Sequence, residues 1–261
     1  MIRRIVLASV SVIALTAAAS AADLYGPGPA GPDDYRGGPI YAPTWAGFYA
    51  GINGGGGWSE GHDLIFSSPS FPGVWGDAGK FESSGGFGGA QIGYNWQGGL
   101  FSPRVVFGIE ADIQGSAIDG TFSRTADYFG PTLFNGKQDI DYFGTVRGRI
   151  GYAFDHMLIY GTGGLAYGGV DTRLNLNNAT FTNNLTRNET EVGFVVGSGV
   201  EYAFSPKWSA KVEYQFIDLG DQHLSNVGSD GYADHARVDD SFSTVRVGLN
   251  YHFQQESVPL K

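Results

Sequence analysis

Eight segments of the chain alternate between apolar residues and polar or glycine residues, and this alternation restricts the possible folds more than any other feature. Neighbouring side chains of a β-strand point to opposite faces, so a period of two predicts strands. The first segment reads GFYAGINGGGGW, and the last reads STVRVGLNYHF and ends at Phe253. Each contains the roughly 9–11 residues that a tilted strand needs to cross a bilayer. The even number predicts an all-β fold, an eight-stranded antiparallel up-and-down transmembrane β-barrel.

The composition agrees with strands rather than helices. Glycine accounts for 42 of the 261 residues and aromatic residues for 14%, whereas charged residues account for only 16%. Glycine destabilises helix interiors, and aromatic residues favour strands. Beyond the N-terminal region there is no run of 18 apolar residues, so the sequence predicts no transmembrane helix. In a membrane, the chain must then be a closed barrel, because only helices and barrels satisfy their backbone in lipid.

The N-terminal sequence predicts export. A short basic region precedes an apolar stretch that ends in small residues, so residues 1–21 are interpreted as a signal peptide. Residues 22–45 are dominated by proline and glycine and are interpreted as a flexible periplasmic leader. The barrel is predicted over 46–253, and a C-terminal tail over 254–261. A signal peptide followed by a barrel indicates the outer membrane of a bacterium.

The exported chain is acidic. The formal net charge is −10, and loss of Arg3 and Arg4 with the signal peptide makes it −12. Such a chain is a poor candidate for nonspecific binding to nucleic acid. The expected partners are outer-membrane lipid and lipopolysaccharide, and the pattern specifies no oligomeric state.

The connections between the segments alternate in length. Short ones lie near 97–103, 155–156 and 205–207. Four long connections are predicted as loops: 59–84, 115–138, 171–189 and 219–241. Short turns face the periplasm and long loops face outward in outer-membrane barrels. The leader is therefore predicted to be periplasmic and the long loops extracellular.

The stretch VVFGIEADIQG places two carboxylates, Glu110 and Asp112, between apolar side chains. A membrane barrel puts both carboxylates in the lumen and gives Ile109 and Ile113 to lipid. A soluble barrel of the lipocalin type would reverse the faces, but the polar face is poor in charge and rich in glycine, which suits a narrow lumen better. A third interpretation is a catalytic carboxylate pair, which requires a pocket that admits substrate.

The predicted lumen face carries four acids and four bases on neighbouring strands. Buried charges must be paired, and an eight-stranded barrel is filled by its own side chains. The sequence therefore predicts a lumen charge network that plugs the barrel, and a narrow ion path past the same charges is the alternative. Its members are Glu110, Asp112, Arg147, Arg149, Glu201, Lys211, Glu213 and Arg246.

Two segments carry more specific expectations. In IDYFGTVRGRIGYAF, the alternation assigns Ile140, Tyr142 and Val146 to the lipid face and Asp141 and Thr145 to the lumen face. In MLIYGTGGLAYGGV, the two faces are not separable, and a β-bulge in this segment would explain why.

Aromatic residues stand at most strand ends. Rings at the level of the lipid headgroups form the interfacial girdle of membrane proteins. The predicted girdle consists of Trp58, Trp96, Phe154, Phe204, Trp208 and Phe253.

The histidines show no spacing typical of metal ligands, and no nucleophile or phosphate-loop motif is present. No catalytic, metal or cofactor site is therefore predicted. His62, His223 and His235 lie in the predicted long loops and are the candidates for a weak contact to haem or a metal.

Several motifs resemble the small surface-antigen barrels of alphaproteobacteria, a porin-like outer-membrane family that includes haemin-binding and opacity-type proteins. They are APTWAGFYAGINGGGGWS, GGAQIGYNWQ, GIEADIQGS, DYFGTVRGRIGYAF, LIYGTGGLAYGGV, VGSGVEYAFSPKWSAKVEYQFIDLG and VRVGLNYHF. The resemblance implies an outer-membrane protein whose last strand, ending at Phe253, is read by the barrel-assembly machinery. Family members usually end at that aromatic residue, whereas this chain continues with QQESVPLK.

The resemblance is specific for the family and much less so for a role. We expect a structural, non-enzymatic barrel that contributes to envelope integrity and surface display, with a plugged lumen. The alternatives are a narrow porin-like pore and a haem-binding surface protein.

Overall fold

The computed structural model describes residues 41–42, 44–59, 62–67, 75–98, 102–127, 131–179, 182–229, 231–253 and 258–259. The predicted signal peptide and the predicted leader as far as residue 40 lie outside the described residues, as does most of the predicted tail. Within the described ranges, no helix is long and apolar enough to cross a membrane. The strands are β1 (Tyr41–Ala42), β2 (Gly47–Trp58), β3 (His62–Ser67), β4 (Trp75–Phe81), β5 (Ser84–Gln97), β6 (Val105–Asp127), β7 (Pro131–Phe154), β8 (Met157–Asn177), β9 (Thr182–Ser205), β10 (Trp208–Val227), β11 (Ala233–His252) and β12 (Val258–Pro259).

Eight of these strands close into a ring. Each of β5 to β11 pairs antiparallel with its neighbour in the order β5-β6-β7-β8-β9-β10-β11, and β2 pairs with both β5 and β11. The ring confirms the all-β, eight-stranded antiparallel up-and-down barrel. The additional β3–β4 hairpin pairs with β11 beyond the end of β2.

The alternation sorts side chains between the outside and the lumen. Ile109 is 57% exposed, whereas its neighbour Glu110 is 3% exposed and points inward. Large aliphatic side chains cover the outer wall on every strand of the ring because lipid, rather than water, is their favourable surrounding. They include Ile52, Ile92, Ile109, Ile113, Val146, Ile150, Ile159, Leu165, Val192, Val196, Val212 and Val247.

This apolar belt has the height of a membrane. On β7 it lies between the exposed rings of Tyr142 and Tyr152. Ten residues at about 3.3 Å each, on a strand tilted by about 40°, cover about 25 Å of depth. That height matches the lipid-facing band of outer-membrane barrels.

The prediction of four long loops is wrong, because the strands continue. β6 runs to Asp127 and β7 starts at Pro131, and the other long connections are likewise mostly strand. Alternation persists there, with Leu174 and Leu185 buried and Asn175 exposed. Most outward residues above the belt are Asn, Thr, Ser or charged side chains, which suit water, and Leu133 and Val227 are exceptions. The continuous aliphatic pattern therefore stops at the lipid boundary although the strand does not.

Two face assignments also need correction. Ile140, predicted on the lipid face, is buried inside the barrel, and Asp141, predicted in the lumen, is exposed. The pairing of β7 with β8 shifts between Ile140 and Tyr142, so an extra residue reverses the faces at this bulge. β8 itself has no bulge, since it pairs continuously with β9. Its faces were inseparable because its inward positions, including Leu158 and Val170, are apolar.

Candidate functional site

The eight predicted network residues meet in the middle of the lumen. They project inward from β6, β7, β9, β10 and β11, and each is 5% exposed or less: Glu110, Asp112, Arg147, Arg149, Glu201, Lys211, Glu213 and Arg246. Because strand pairing places β6 beside β7 and β10 beside both β9 and β11, acids and bases lie within reach of each other.

Two arginines share three carboxylates at the centre of this network. Arg147 donates hydrogen bonds to Glu110, to Asp112 at 2.9 Å and to Glu213 at 2.5 Å. Arg246 donates to Asp112 at 3.1 Å, to Glu213 at 2.8 Å and to Glu110 at 3.3 Å. Each buried charge therefore has several opposite partners, which is the condition for burying it without a large loss of stability.

Lys211 completes the central cluster. Its Nζ donates to both carboxylate oxygens of Glu110, at 3.0 and 3.1 Å, and lies 3.6 Å from Glu213. With Arg149 and Glu201 included, the eight residues carry four positive and four negative formal charges. The network is neutral as a whole, so it needs no mobile counterion.

Arg149 forms a second part of the network, nearer the short-turn end. Its guanidinium carbon lies 4.9 Å from the ring centre of Tyr49 and 5.0 Å from that of Tyr160, so both rings make cation–π contacts with it. Its Nη1 donates to Glu201 at 3.2 Å. The hydroxyls of the two tyrosines donate to Glu110 and Glu213, both at 2.6 Å.

Sequence reasoning missed the two tyrosines and a chain of neutral side chains. Asn53 donates to Gln91 at 3.0 Å, Gln91 to Asn250 at 2.5 Å, and Asn250 to Glu201 at 2.7 Å. Ser209 also donates to Glu201, at 2.5 Å. The inward positions of the amides follow from alternation, but which amide bonds to which depends on strand register, which alternation does not specify.

Glycines on the lumen face make room for these side chains. At Gly93 a Cβ would overlap the phenol of Tyr49, and at Gly108 it would overlap Asn95 and lie 3.0 Å from Arg149 Cγ. The high glycine content therefore follows in part from close packing across a narrow barrel.

Apolar clusters lie above and below the charged layer. The upper cluster, toward the long hairpins, consists of Phe87, Ile118, Ile140, Phe143, Ala166, Val170, Val195, Ile217, Leu219 and Phe242. The lower cluster, at the short-turn end, consists of Trp45, Val106, Ala153, Leu158, Tyr160 and Ala203. The order of residues along the strands places them so: on β6, Val106 comes before Glu110, and Ile118 comes after Asp112. The ion pairs are thus enclosed from both ends.

Comparison with known proteins identifies the family. The family model described as "Outer membrane protein beta-barrel domain" matches residues 5–253, which is most of the chain. The chain belongs to the outer-membrane β-barrel family.

Relatives agree with this assignment. The chain is 37% identical over 257 residues to the 31 kDa outer-membrane immunogenic protein of Brucella melitensis biotype 1, a match that covers 96% of this chain and 100% of that protein. It is 31% identical over 178 residues to the 22 kDa outer membrane protein of Rhizobium leguminosarum bv. viciae, covering 68% and 65% of the two chains.

Solved structures include barrels similar to this chain at low identity. OprG of Pseudomonas aeruginosa shares 15% identity, covers 79% of this chain and 97% of its own, and has a TM-score of 0.46. Ail of Yersinia pestis shares 12% identity, covers 79% and 99%, and has a TM-score of 0.37.

The family assignment gives the orientation of the barrel in the outer membrane. Short turns face the periplasm in such proteins, so the lower cluster lies at the periplasmic end and the long hairpins project outside. Five of the six predicted girdle residues lie at the periplasmic end and are exposed: Trp96, Phe154, Phe204, Trp208 and Phe253. Trp58 lies at the opposite end of its strand, toward the outer surface.

Further aromatic rings lie beside the predicted girdle residues. Tyr94 packs against both Phe48 and Trp96, with ring centres 4.5 and 4.7 Å apart. Tyr251 likewise packs against Trp208 at 5.1 Å and Phe253 at 5.3 Å. Exposed aromatic clusters of this kind suit the interfacial zone, where a ring meets both lipid and water.

The candidate histidines are only partly described. The side chain of His235 is exposed on β11, whereas those of His62 and His223 lie outside the described residues. His252, which was not a candidate, is buried in the lumen, where its Nε2 lies 2.9 Å from Ser209 Oγ. Haem binding therefore stays a prediction.

Proposed function

We propose that this protein is a structural outer-membrane barrel that contributes to envelope integrity and surface display, with a lumen plugged by its own side chains. The observation that carries the proposal is the neutral ion-pair network enclosed between the upper and lower apolar clusters. An ion on this path would leave water, pass an apolar layer and displace charges that already have partners. Each step is unfavourable, because dry apolar constrictions and paired buried charges both oppose the passage of an ion.

A bilayer recording separates this function from a narrow pore. Purified protein is refolded in detergent, its folding is checked by the heat-dependent shift in gel mobility, and it is added to planar bilayers. We expect no reproducible unitary conductance steps. A general porin in the same bilayers verifies insertion and detection. Reproducible steps from the folded fraction would overturn the plugged lumen and favour the pore.

The proposal includes no catalytic activity. Glu110 and Asp112, the candidate acid–base pair, accept hydrogen bonds from Arg147 and Arg246. A catalytic carboxylate needs to stand beside a pocket that admits substrate. Both carboxylates instead lie between apolar clusters, which supports a structural role for the pair.

Surface display rests on the hairpins outside the membrane. On β7, about ten residues lie between Pro131 and the upper end of the apolar belt, which corresponds to about 25 Å of height. The relatives in Brucella are named as immunogenic proteins. The proposal includes antigen display by these hairpins. It also includes contact of the belt with lipid and lipopolysaccharide, and recognition of the strand ending at Phe253 by the barrel-assembly machinery.

A further inference from the structure

Trp45 fills the periplasmic mouth of the barrel, although it belongs to the leader and not to a strand of the ring. It has no exposed surface. Its neighbours in the lower cluster come from four consecutive strands, β6 to β9: Val106, Ala153, Leu158, Tyr160 and Ala203. Its indole also stands edge-on to the ring of His252 on β11, with ring centres 5.9 Å apart. The indole therefore contacts walls on both sides of the lumen.

Hydrogen bonds to Gln97, the last residue of β5, hold the leader in this position. The backbone N–H of Trp45 donates to Gln97 Oε1 at 2.5 Å, and the hydroxyl of Thr44 donates to the same oxygen at 3.2 Å. Gln97 Nε2 in turn donates to the carbonyl of Pro103 in the turn that follows β5. The leader is thus fixed to the rim of the mouth rather than lying loosely below it.

The first and last strands of the ring form its closing seam. Their ladder runs from Trp58 and Ser243 to Tyr49 and His252. One further bond, from the N–H of Phe253 to the carbonyl of Phe48 at 3.0 Å, ends the seam on the periplasmic side.

The two chain ends meet again below the seam. β1, which precedes the first ring strand, pairs antiparallel with β12, which follows the last one. Ala42 lies opposite Val258, and Tyr41 lies opposite Pro259. The C-terminal tail, which the resemblance left without a role, is therefore a partner of the leader.

We propose that the two chain ends form a periplasmic latch on the closed barrel. Trp45 is its stopper, and the β1–β12 pair is the clasp that holds the stopper in the mouth. The stopper site includes residues from β5 and from β11, so it is complete only after β11 has paired with β2. Trp45 and the β1–β12 pair therefore take up their positions after β2 and β11 have paired, and they then oppose the separation of these two strands. This inference is independent of the proposed function, because a plugged and a conducting barrel can carry the same latch.

The clasp is tested by disulfide formation, since the chain contains no cysteine. Paired residues of antiparallel strands have Cα separations within the range that a disulfide spans. We expect A42C/V258C to form an intramolecular disulfide in native outer membranes, seen as a gel shift that reductant removes. The control Y41C/V258C is one residue out of register, and because successive residues of a strand alternate between its faces, we expect several-fold less product. Equal yields in the two variants, or no disulfide in A42C/V258C, would overturn the clasp.

The stopper is tested with a variant that keeps Trp45 and replaces the other four tryptophans by phenylalanine. In the folded protein, we expect acrylamide to quench the Trp45 fluorescence several-fold less than in urea. Deletion of residues 254–261 removes the clasp, and we expect quenching to rise at least twofold while the heat-dependent gel shift persists. Quenching that is as strong in the full chain as in urea contradicts the stopper. Quenching that the deletion leaves unchanged contradicts the role of the clasp.

Discussion

Arg147 and Arg246 stand on opposite walls of the barrel and bind the same three carboxylates. Their strands, β7 and β11, are four places apart in the eight-stranded ring. The shared acids Glu110, Asp112 and Glu213 come from β6 and β10, the strands beside them. The ion pairs therefore connect walls that share no backbone ladder.

Replacement of Arg147 by alanine tests this connection. We expect the free energy of unfolding to fall by about 3–5 kcal/mol, because the three carboxylates lose a shared partner in a buried site. Urea unfolding in detergent micelles measures the change. Arg173, which bonds to Asp171 on the exposed part of β8, is the control, and R173A is expected to leave the free energy of unfolding nearly unchanged, because water screens an exposed ion pair. Equal losses of unfolding free energy in both variants would show that the buried network stabilises the barrel no more than an exposed ion pair does.

A charge on the outer wall tests the membrane position. Val212 lies within the apolar belt, and V212R is expected to destabilise the inserted barrel by about 2–4 kcal/mol. Val227 is also exposed but lies at the far end of β10, beyond the belt, so V227R is expected to change stability by no more than about 0.5 kcal/mol. Refolding into lipid vesicles at graded urea concentrations measures both. If V212R leaves the stability of the inserted barrel unchanged, the assignment of the apolar belt to the lipid is wrong.

Two adjacent glycines of β5 provide a matched test of lumen packing. Gly89 points inward, and a Cβ there would overlap the carbonyl oxygen of Ile113, whereas a Cβ at Gly88 would point outward, 3.7 Å from the Asn53 oxygen. We expect G89A to lower the free energy of unfolding by about 1–3 kcal/mol. G88A should leave it unchanged or raise it by less than about 1 kcal/mol, because alanine restricts the unfolded chain. The urea midpoints of the two variants decide the matter, and a G88A loss as large as that of G89A would contradict the face assignment.

Epitope insertion tests the orientation. A short tag placed between Val227 and Ala233, at the end of a long hairpin, is expected to bind antibody on intact cells. The same tag between Ser205 and Trp208 lies in a short turn and is expected to bind only after the outer membrane is permeabilised. Flow cytometry with and without permeabilisation measures both. Labelling of the second tag on intact cells would reverse the topology.

Alternation predicted the barrel and the lumen charges because lipid and lumen impose opposite demands on neighbouring residues. Ile109 and Glu110 illustrate this, since a carboxylate is unfavourable on the lipid face of Ile109, and isoleucine could not form the ion pairs that Glu110 makes in the lumen. The bulge at Asp141 was missed because one inserted residue leaves no compositional mark in a short window. Trp45 was missed for another reason: it reaches the lumen from the proline-rich leader, where no period of two marks its direction.

The continuation of the strands beyond the lipid has a consequence for sequence variation among related outer-membrane barrels. Along residues 173–177 and 182–186, an antibody would meet only every second residue, such as Asn175 and Thr186, while the intervening Leu174 and Leu185 face inward and are buried. Substitutions that escape recognition at low cost to folding are then confined to alternate positions. Immune selection on such a surface should concentrate amino-acid substitutions at every second position, a pattern that flexible loops would not produce.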